Sequence, residues 1–287
     1  MGIEQIPNAQ LTVTDHCRDF TGMRYVYPVI SRRAGGVSVG VNLNPNNACN
    51  WRCVYCQVPD LRRGDAPPVD LGLLRAELED FLSELQEGEF MGRRVPEGAR
   101  RIVDVALAGN GEPTSAREFP DVITLVNSVL RARGLERQLV LRLITNGSRA
   151  ARAAVQEGIR RMGAGHGEVW FKVDAGSPAV RRRVNSVVMK TETVVRNLRT
   201  VAGLCPTWVQ TCAFGWGEGL PLAEDLQAYL GLLRAAGPER LQGVHLYSLA
   251  RPSLQPEAPA LRRLSNEELE SIAAPIRALG LQVLVNP

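Results

Sequence analysis

The stretch Val37-Ser38-Val39-Gly40-Val41-Asn42-Leu43-Asn44-Pro45-Asn46-Asn47-Ala48-Cys49-Asn50-Trp51-Arg52-Cys53-Val54-Tyr55-Cys56 decides how this chain is read. Val37, Val39, Val41 and Leu43 alternate with Ser38, Gly40, Asn42 and Asn44, the period-2 pattern of a strand with one apolar and one polar face. Three cysteines follow within eight residues. Three thiolates so close together can hold a soft metal centre. A structural zinc site closes with four ligands, its cysteines usually paired two residues apart. An iron–sulfur cube held by only three cysteines keeps one iron open to a small molecule. The plainer alternative is a set of buried apolar cysteines in a tight loop. Trp51 and Tyr55 are placed to shield a cluster from water.

Outward from this stretch, strands and helices alternate for most of the chain, which predicts a parallel sheet with helical crossovers. Strands are expected at 37–44, 101–107, 139–145, 168–173, 207–213 and 242–248, with a last one at 281–285. Helices are expected at 69–87, 119–133, 148–162, 178–202, 222–236 and 265–279. The first helix is the clearest: Asp70 can cap it, and Leu71, Leu74, Leu78, Phe81, Leu82 and Leu85 recur at helical spacing. Ser265 and Glu268 form a capping box at the start of the last.

Strands buried on both faces read as continuous apolar runs. Here the alternation persists. Val105 and Leu107 oppose Asp104 and Ala106, Leu141 and Leu143 oppose Arg142, Ile144 and Asn146, and Val169, Phe171 and Val173 oppose Glu168, Trp170, Lys172 and Asp174. If helices cover the apolar surface, the polar one lines a wet or ligand-filled interior. Six such strands predict a partial (β/α)6 TIM-like barrel of α/β class, with Asp104 and Arg142 on adjacent strands either paired inside it or standing as two unrelated solvated side chains. Residues 1–35 read as an N-terminal extension over one end, 36–252 as the barrel core, and 253–287 as a helix and strand completing the same domain.

In parallel barrels, ligand chemistry gathers beyond the C-terminal strand ends. Every unusual loop of this chain falls there. The cysteines follow the first strand, Gly109-Asn110-Gly111-Glu112-Pro113 the second, Thr145-Asn146-Gly147-Ser148 the third and Asp174-Ala175-Gly176-Ser177 the fourth. Gly215-Trp216-Gly217-Glu218-Gly219 follows the fifth and Tyr247-Ser248-Leu249-Ala250-Arg251-Pro252 the sixth.

Composition narrows the class. No basic, apolar leader opens the sequence, and no apolar run reaches the ~20 residues that span a bilayer, so a cytoplasmic protein with no membrane partner is expected. The reducing cytoplasm suits thiolate ligands. The net charge is +4, and of 34 basic residues only Lys172 and Lys190 are lysine. Arginine pairs such as Arg62-Arg63 and Arg93-Arg94 are scattered, as on a solvated surface rather than a nucleic-acid stripe, and 5% aromatic residues give little for base stacking.

Cys-x3-Cys-x2-Cys with an aromatic before the last cysteine, followed one strand later by Gly-Asn-Gly-Glu-Pro, resembles the radical S-adenosylmethionine superfamily. The similarity runs from about Val37 to Pro252. Within the superfamily, the loops at 109–114, 144–148, 172–177 and 247–252 resemble a group of bacterial Fe–S oxidoreductases related to wyosine-type tRNA-modifying enzymes. The resemblance implies that Cys49, Cys53 and Cys56 ligate a 4Fe–4S cluster. Its open iron would bind the amino and carboxylate groups of S-adenosylmethionine. Reductive cleavage would then give a 5′-deoxyadenosyl radical that abstracts hydrogen from substrate. An electron donor such as flavodoxin or ferredoxin is implied as partner.

By the same resemblance Tyr55 lies near the adenine, unless it is simply a loop aromatic packed in the core, and Gly109, Asn110, Gly111 and Glu112 approach the methionine ammonium. Glu112 could instead merely cap the following helix. Asn146 and Asp174 are candidates for ribose or methionine contacts, or ordinary turn residues. Lys172 would neutralise the cofactor carboxylate or act on substrate, for example as a Schiff-base amine. Gln210 and Ser248 complete the expected ring. Cys17, Cys205 and Cys212 show no paired spacing and read as buried apolar cysteines, which weakens equivalence with enzymes that carry a second cluster. His16, His166 and His245 form no metal spacing. A different class remains open: a non-catalytic Fe–S or zinc protein using the barrel as an interaction scaffold. Within the enzyme class the substrate is a small molecule, a peptide or an RNA such as tRNA.

Overall fold

The computed structural model describes residues 10–12, 21–31 and 35–287. An eight-stranded sheet forms its centre, with strands in sequence order: β1 (Val26–Ser31), β2 (Gly36–Val41), β3 (Ile102–Leu107), β4 (Val140–Thr145), β5 (Gly167–Lys172), β6 (Thr207–Cys212), β7 (Gly243–Tyr247) and β8 (Val283–Asn286). β1 pairs antiparallel with β2, and every later pair is parallel. Helices α1 (Leu71–Gln86), α2 (Phe119–Ala132), α3 (Ala153–Gly163), α4 (Pro178–Asn185), α5 (Thr191–Ala202), α6 (Leu226–Ala236) and α7 (Asn266–Arg277) make the crossovers. Six βα units wound in one direction give the expected partial barrel, α/β in class.

The helices seal the apolar surface of the sheet. In α1, Leu74, Leu78, Phe81, Leu82 and Leu85 are buried, as their spacing predicts, each contributing about 1.5–3 kcal/mol of burial free energy. Asp70 caps its N-terminus by accepting from Leu73 N at 3.0 Å. Glu77, on the same face, is buried because its carboxylate accepts from the backbone N–H groups of Arg24, Tyr25 and Val26 at 2.8, 2.8 and 3.2 Å. That contact fixes the entry to β1. Ser265 and Glu268 make the expected capping box on α7.

Two expectations change. Residues 26–31, read as part of an extension over one end, instead form an edge strand along β2. Glycine makes this possible: Tyr27 pairs with Gly40, and a Cβ there would lie 2.3 Å from the tyrosine Cζ. The helix expected at 178–202 is two helices. Ser186 ends α4 in the left-handed region at φ 52, and residues 187–190 lead into α5. The run of apolar residues gave no sign of this break. Cys17 and His16 lie outside the described residues.

Candidate active site

Residues 44–58 pass from the end of β2 across the C-terminal rim of the sheet. Asn44 Nδ2 donates to Ala48 O at 2.9 Å, and Asn47 takes a positive φ of 54°, so asparagines shape the entry. Three parts of the chain then clamp the cysteine loop. From α4, Asn185 O and Val184 O accept from Arg52 N and Val54 N at 3.2 and 2.9 Å. From the segment after β7, Ser253 Oγ donates to Val54 O at 2.7 Å, Gln255 Nε2 to Val58 O at 3.2 Å, and Glu257 forms a bidentate pair with Arg52 at 2.7 and 3.0 Å. From the turn after β4, Asn146 Nδ2 donates to Asn50 Oδ1 at 2.8 Å, and Ser148 Oγ accepts from Asn50 Nδ2 at 2.7 Å.

Cys49, Cys53 and Cys56 all line one cavity of about 350 Å³ within the half-barrel, in the size range of small-molecule sites. Two of the sulfurs have donors: Trp51 N to Cys49 Sγ at 3.4 Å, and Asn185 Nδ2 to Cys53 Sγ at 3.2 Å. Burial pushes the Cys49 thiol up to about 12 and Cys53 to about 11, the latter partly offset by Lys172. Metal-free, these are protonated thiols; a metal must displace their protons to bind. Among the described residues, no three His, Cys, Asp or Glu side chains converge as a single-ion site would require. A zinc ion draws each thiolate to about 2.3 Å from one centre, whereas a four-iron cube spreads its ligands more widely. The buried Trp51 Nε1, Asn110 Oδ1 and Asn185 Oδ1 have no protein partner. Orphaned polar atoms beside three cysteines fit a site that accepts a polar group.

The Gly109–Glu112 loop packs against this rim backbone to backbone. A Cβ on Gly111 would lie 2.0 Å from Ala48 O, and one on Gly109 2.3 Å from Asn42 Oδ1. Glycine is therefore needed for contact with the cysteine loop and with the end of β2. Gly111→Ala is expected to displace Ala48 and its neighbour Cys49. Iron bound per chain after anaerobic reconstitution should fall severalfold while far-UV circular dichroism stays unchanged; full iron loading would contradict this.

Glu112 is buried between two loops. Its Oε1 accepts from Thr114 N at 3.1 Å, from the Thr114 hydroxyl, and from Thr145 Oγ1 at 2.6 Å; its Oε2 accepts from Asn146 N at 2.7 Å. It does cap the turn at 113–115, and it also bolts that turn to the end of β4. Burial raises its pKa despite these four donors.

On the opposite wall, Asp174 Oδ2 accepts from the Tyr55 hydroxyl and from Asn185 Nδ2 (2.8 Å), and Oδ1 from Cys212 N at 3.0 Å. Lys172 Nζ lies 4.9 Å from the centroid of the Tyr55 ring. Burial disfavours its charge, but Tyr247, Asp174 and Cys53 outweigh this and hold its pKa well above the usual lysine value. The Tyr55 hydroxyl is pushed up by burial and then by Asp174.

The expected ring is thus brought together unevenly. Tyr55, Gly109, Asn110, Gly111, Glu112, Asn146, Lys172 and Ser248 line the cavity. Gln210 is buried and does not line it, and Ser248 Oγ is taken by Leu264 N at 2.8 Å. Asp174 is committed to protein groups. The polar inner face is as expected: Asp104 and Arg142 pair inside the barrel. Cys205 and Cys212 are both buried, and Cys212 lines the cavity. Asn185, hidden inside an apparently continuous helix, and Glu257, in the irregular stretch before the last helix, carried no signal in the sequence.

No protein-family model matches the chain. Among solved structures, it is similar to TYW1 with a lysine-pyruvate adduct bound (TM-score 0.57, 15% identity, 84% of this chain and 73% of that one). It is similar to a spore photoproduct lyase variant (TM-score 0.56, 12% identity, 91% and 79%). It is also similar to Streptococcus suis SuiB bound to S-adenosylmethionine (TM-score 0.55, 9% identity, 88% and 51%). A stretch of 122 residues, 42% of this chain and 15% of the relative, is 25% identical to the GTPase Obg of Brachyspira hyodysenteriae. Neither lysine lies in a Gly-x4-Gly-Lys-Ser/Thr phosphate loop. The chain spans about half of SuiB and a small part of Obg. The structural likenesses show that the chain shares the fold of these three proteins.

Proposed function

We propose that this chain is a radical S-adenosylmethionine enzyme, with Cys49, Cys53 and Cys56 as ligands of a 4Fe–4S cluster. The observation that carries the proposal is the position of three cysteines, with no fourth in their loop, on the wall of a cavity inside a partial barrel of this fold. When bound, the cluster supplies the electron that cleaves the carbon–sulfur bond of S-adenosylmethionine, giving the radical that takes hydrogen from substrate.

The protein's part is to hold, orient and exclude water. The triple clamp fixes the cysteine loop. Tyr55, locked by Asp174, presents an apolar ring edge for the adenine, and the Lys172 ammonium is available to the methionine carboxylate. Its raised pKa favours this over a Schiff-base role, although the TYW1 structure holds a lysine-pyruvate adduct and Lys172 is the lysine in this cavity. Glu112 has a lone pair left on Oε2 for the methionine ammonium, beside the Asn146 N–H that it already accepts. The polar chemistry of Asn110 Oδ1 and Asn146 suits the same ligand.

We further infer one catalytic domain, residues 36–252, completed by 253–287, in a cytoplasmic setting with flavodoxin or ferredoxin as electron donor. No helix of the described residues is long and apolar enough to cross a membrane. Anaerobic reconstitution should load about four irons per chain, and dithionite with S-adenosylmethionine should release 5′-deoxyadenosine. A chain that loads the cluster yet never cleaves the cofactor would refute the catalytic reading. Calorimetry showing metal without cofactor binding would establish the scaffold alternative.

Asn185 supplies a separate check. Its Nδ2 donates to Cys53 Sγ and so favours the more negative, reduced state of a cluster bound there. Asn185→Leu is expected to lower the midpoint potential in an EPR-monitored redox titration and to reduce cofactor cleavage about 10–100-fold. An unchanged potential would remove Asn185 from this role.

A further inference from the structure

The inner end of the cavity, away from the cysteines, is built around a buried charge network that the proposed cofactor chemistry does not use. Arg142 is the centre of it. Its Nε donates to Glu168 Oε1 at 3.1 Å, its Nη1 to Asp104 Oδ2, and its Cζ sits 4.4 Å from the centroid of Trp170. Ser38 Oγ donates to Asp104 Oδ1. Glu168 also accepts from Trp170 Nε1 and Trp208 Nε1 at 2.7 and 3.2 Å. The Arg142 side chain is only 10% exposed, and Asp104 2%.

Each donor of this network has a protein partner except one. Among the described residues, Arg142 Nη2 donates to no protein atom, while the residue lines the cavity. Beside it, Asp104 keeps acceptor capacity, since each carboxylate oxygen holds two lone pairs and has one donor here. A donor and an acceptor therefore stand side by side. Two carboxylates already face this one guanidinium. A ligand anion on Nη2 would crowd a third acidic group into a poorly solvated place. A neutral carbonyl would not. Gly40, Ala106 and Ala108 line the same cavity and leave it room.

We propose that this floor is a substrate-recognition subsite for an uncharged group with a carbonyl beside an N–H: a carboxamide, a lactam, or the matching edge of a nucleobase. The carbonyl would accept from Arg142 Nη2 and the N–H donate to Asp104. The inference rests on reading the cavity as substrate space.

The test is calorimetric titration of the metal-free full chain with benzamide, benzoate and benzylamine, which share a ring and differ in charge. Benzamide should bind at least about tenfold tighter than either, the worth of one charge-assisted hydrogen bond. Arg142→Lys, which keeps the charge and loses the fork, should weaken benzamide about tenfold. Ala106→Leu, which fills the space and leaves the network intact, should abolish binding with an unchanged circular dichroism spectrum. Tighter binding of benzoate or benzylamine, indifference of benzamide to both variants, or no binding of any probe would overturn the subsite. Because no metal is needed, its failure is separable from failure of cofactor cleavage.

Discussion

A Cys53→Ala chain is expected to lose stable iron and to release no 5′-deoxyadenosine above background. Cys53 lies deepest in the clamp: its sulfur receives Asn185 Nδ2, and the loop on either side is pinned to α4 through Arg52 N and Val54 N. Its removal would leave Cys49 and Cys56, and two thiolates do not hold a cube that needs three. The fold should survive, because the clamp uses backbone and neighbouring side chains rather than the thiol. Cys205→Ala is the internal control. Cys205 is buried but does not line the cavity, so it should cost about 1 kcal/mol of stability and keep its iron. Iron and sulfide analysis with circular dichroism on both variants decides the matter. Full iron in Cys53→Ala would remove that residue from the ligand set.

Glu112→Ala should have the largest effect on stability. The substitution strips the acceptor from Thr114 N, Thr145 Oγ1 and Asn146 N, all buried. A buried donor left unsatisfied costs about 1–3 kcal/mol, so three of them give a total of about 3–9 kcal/mol, a large share of the roughly 5–15 kcal/mol that holds a domain together. Chemical denaturation measures it. A loss below about 1 kcal/mol would mean that water replaces the carboxylate. The pH dependence has a definite sign. Burial holds the Glu112 pKa above 4.5 in the folded state, so the folded chain keeps this proton where the unfolded chain has lost it. Stability then falls as pH rises from 4.5 through the folded value. The Glu112→Ala difference relative to wild type should be greatest at the acid end of that window.

The sheet was legible because its strands carry a period-2 pattern with polar residues on one face. That pattern places Ser38, Asp104, Arg142 and Lys172 on the inside without any knowledge of neighbours. The rim loops were legible because Gly, Asn and Ser cluster after each strand. The division at Ser186 was not, since Arg183-Val184-Asn185-Ser186-Val187-Val188 has no glycine or proline to mark a stop. The left-handed Ser186 is held from outside, its carbonyl accepting from Arg63 Nη2. β1 was missed because its pairing depends on a glycine on the neighbouring strand.

By itself the sequence determined the half-barrel and the placing of three cysteines on one rim of it, because these depend on local periodicity and on residues close together in the chain. Only the tertiary structure decided which polar side chains remain free for a ligand. Glu112 accepts from groups 2 to 34 positions away, Asp174 spends its oxygens on partners 11 to 119 positions away, Ser248 serves Leu264, and among the described residues Arg142 keeps an unused amino group on the floor. Hydrogen-bond capacity is finite for each atom, and what consumes it lies on other strands and loops.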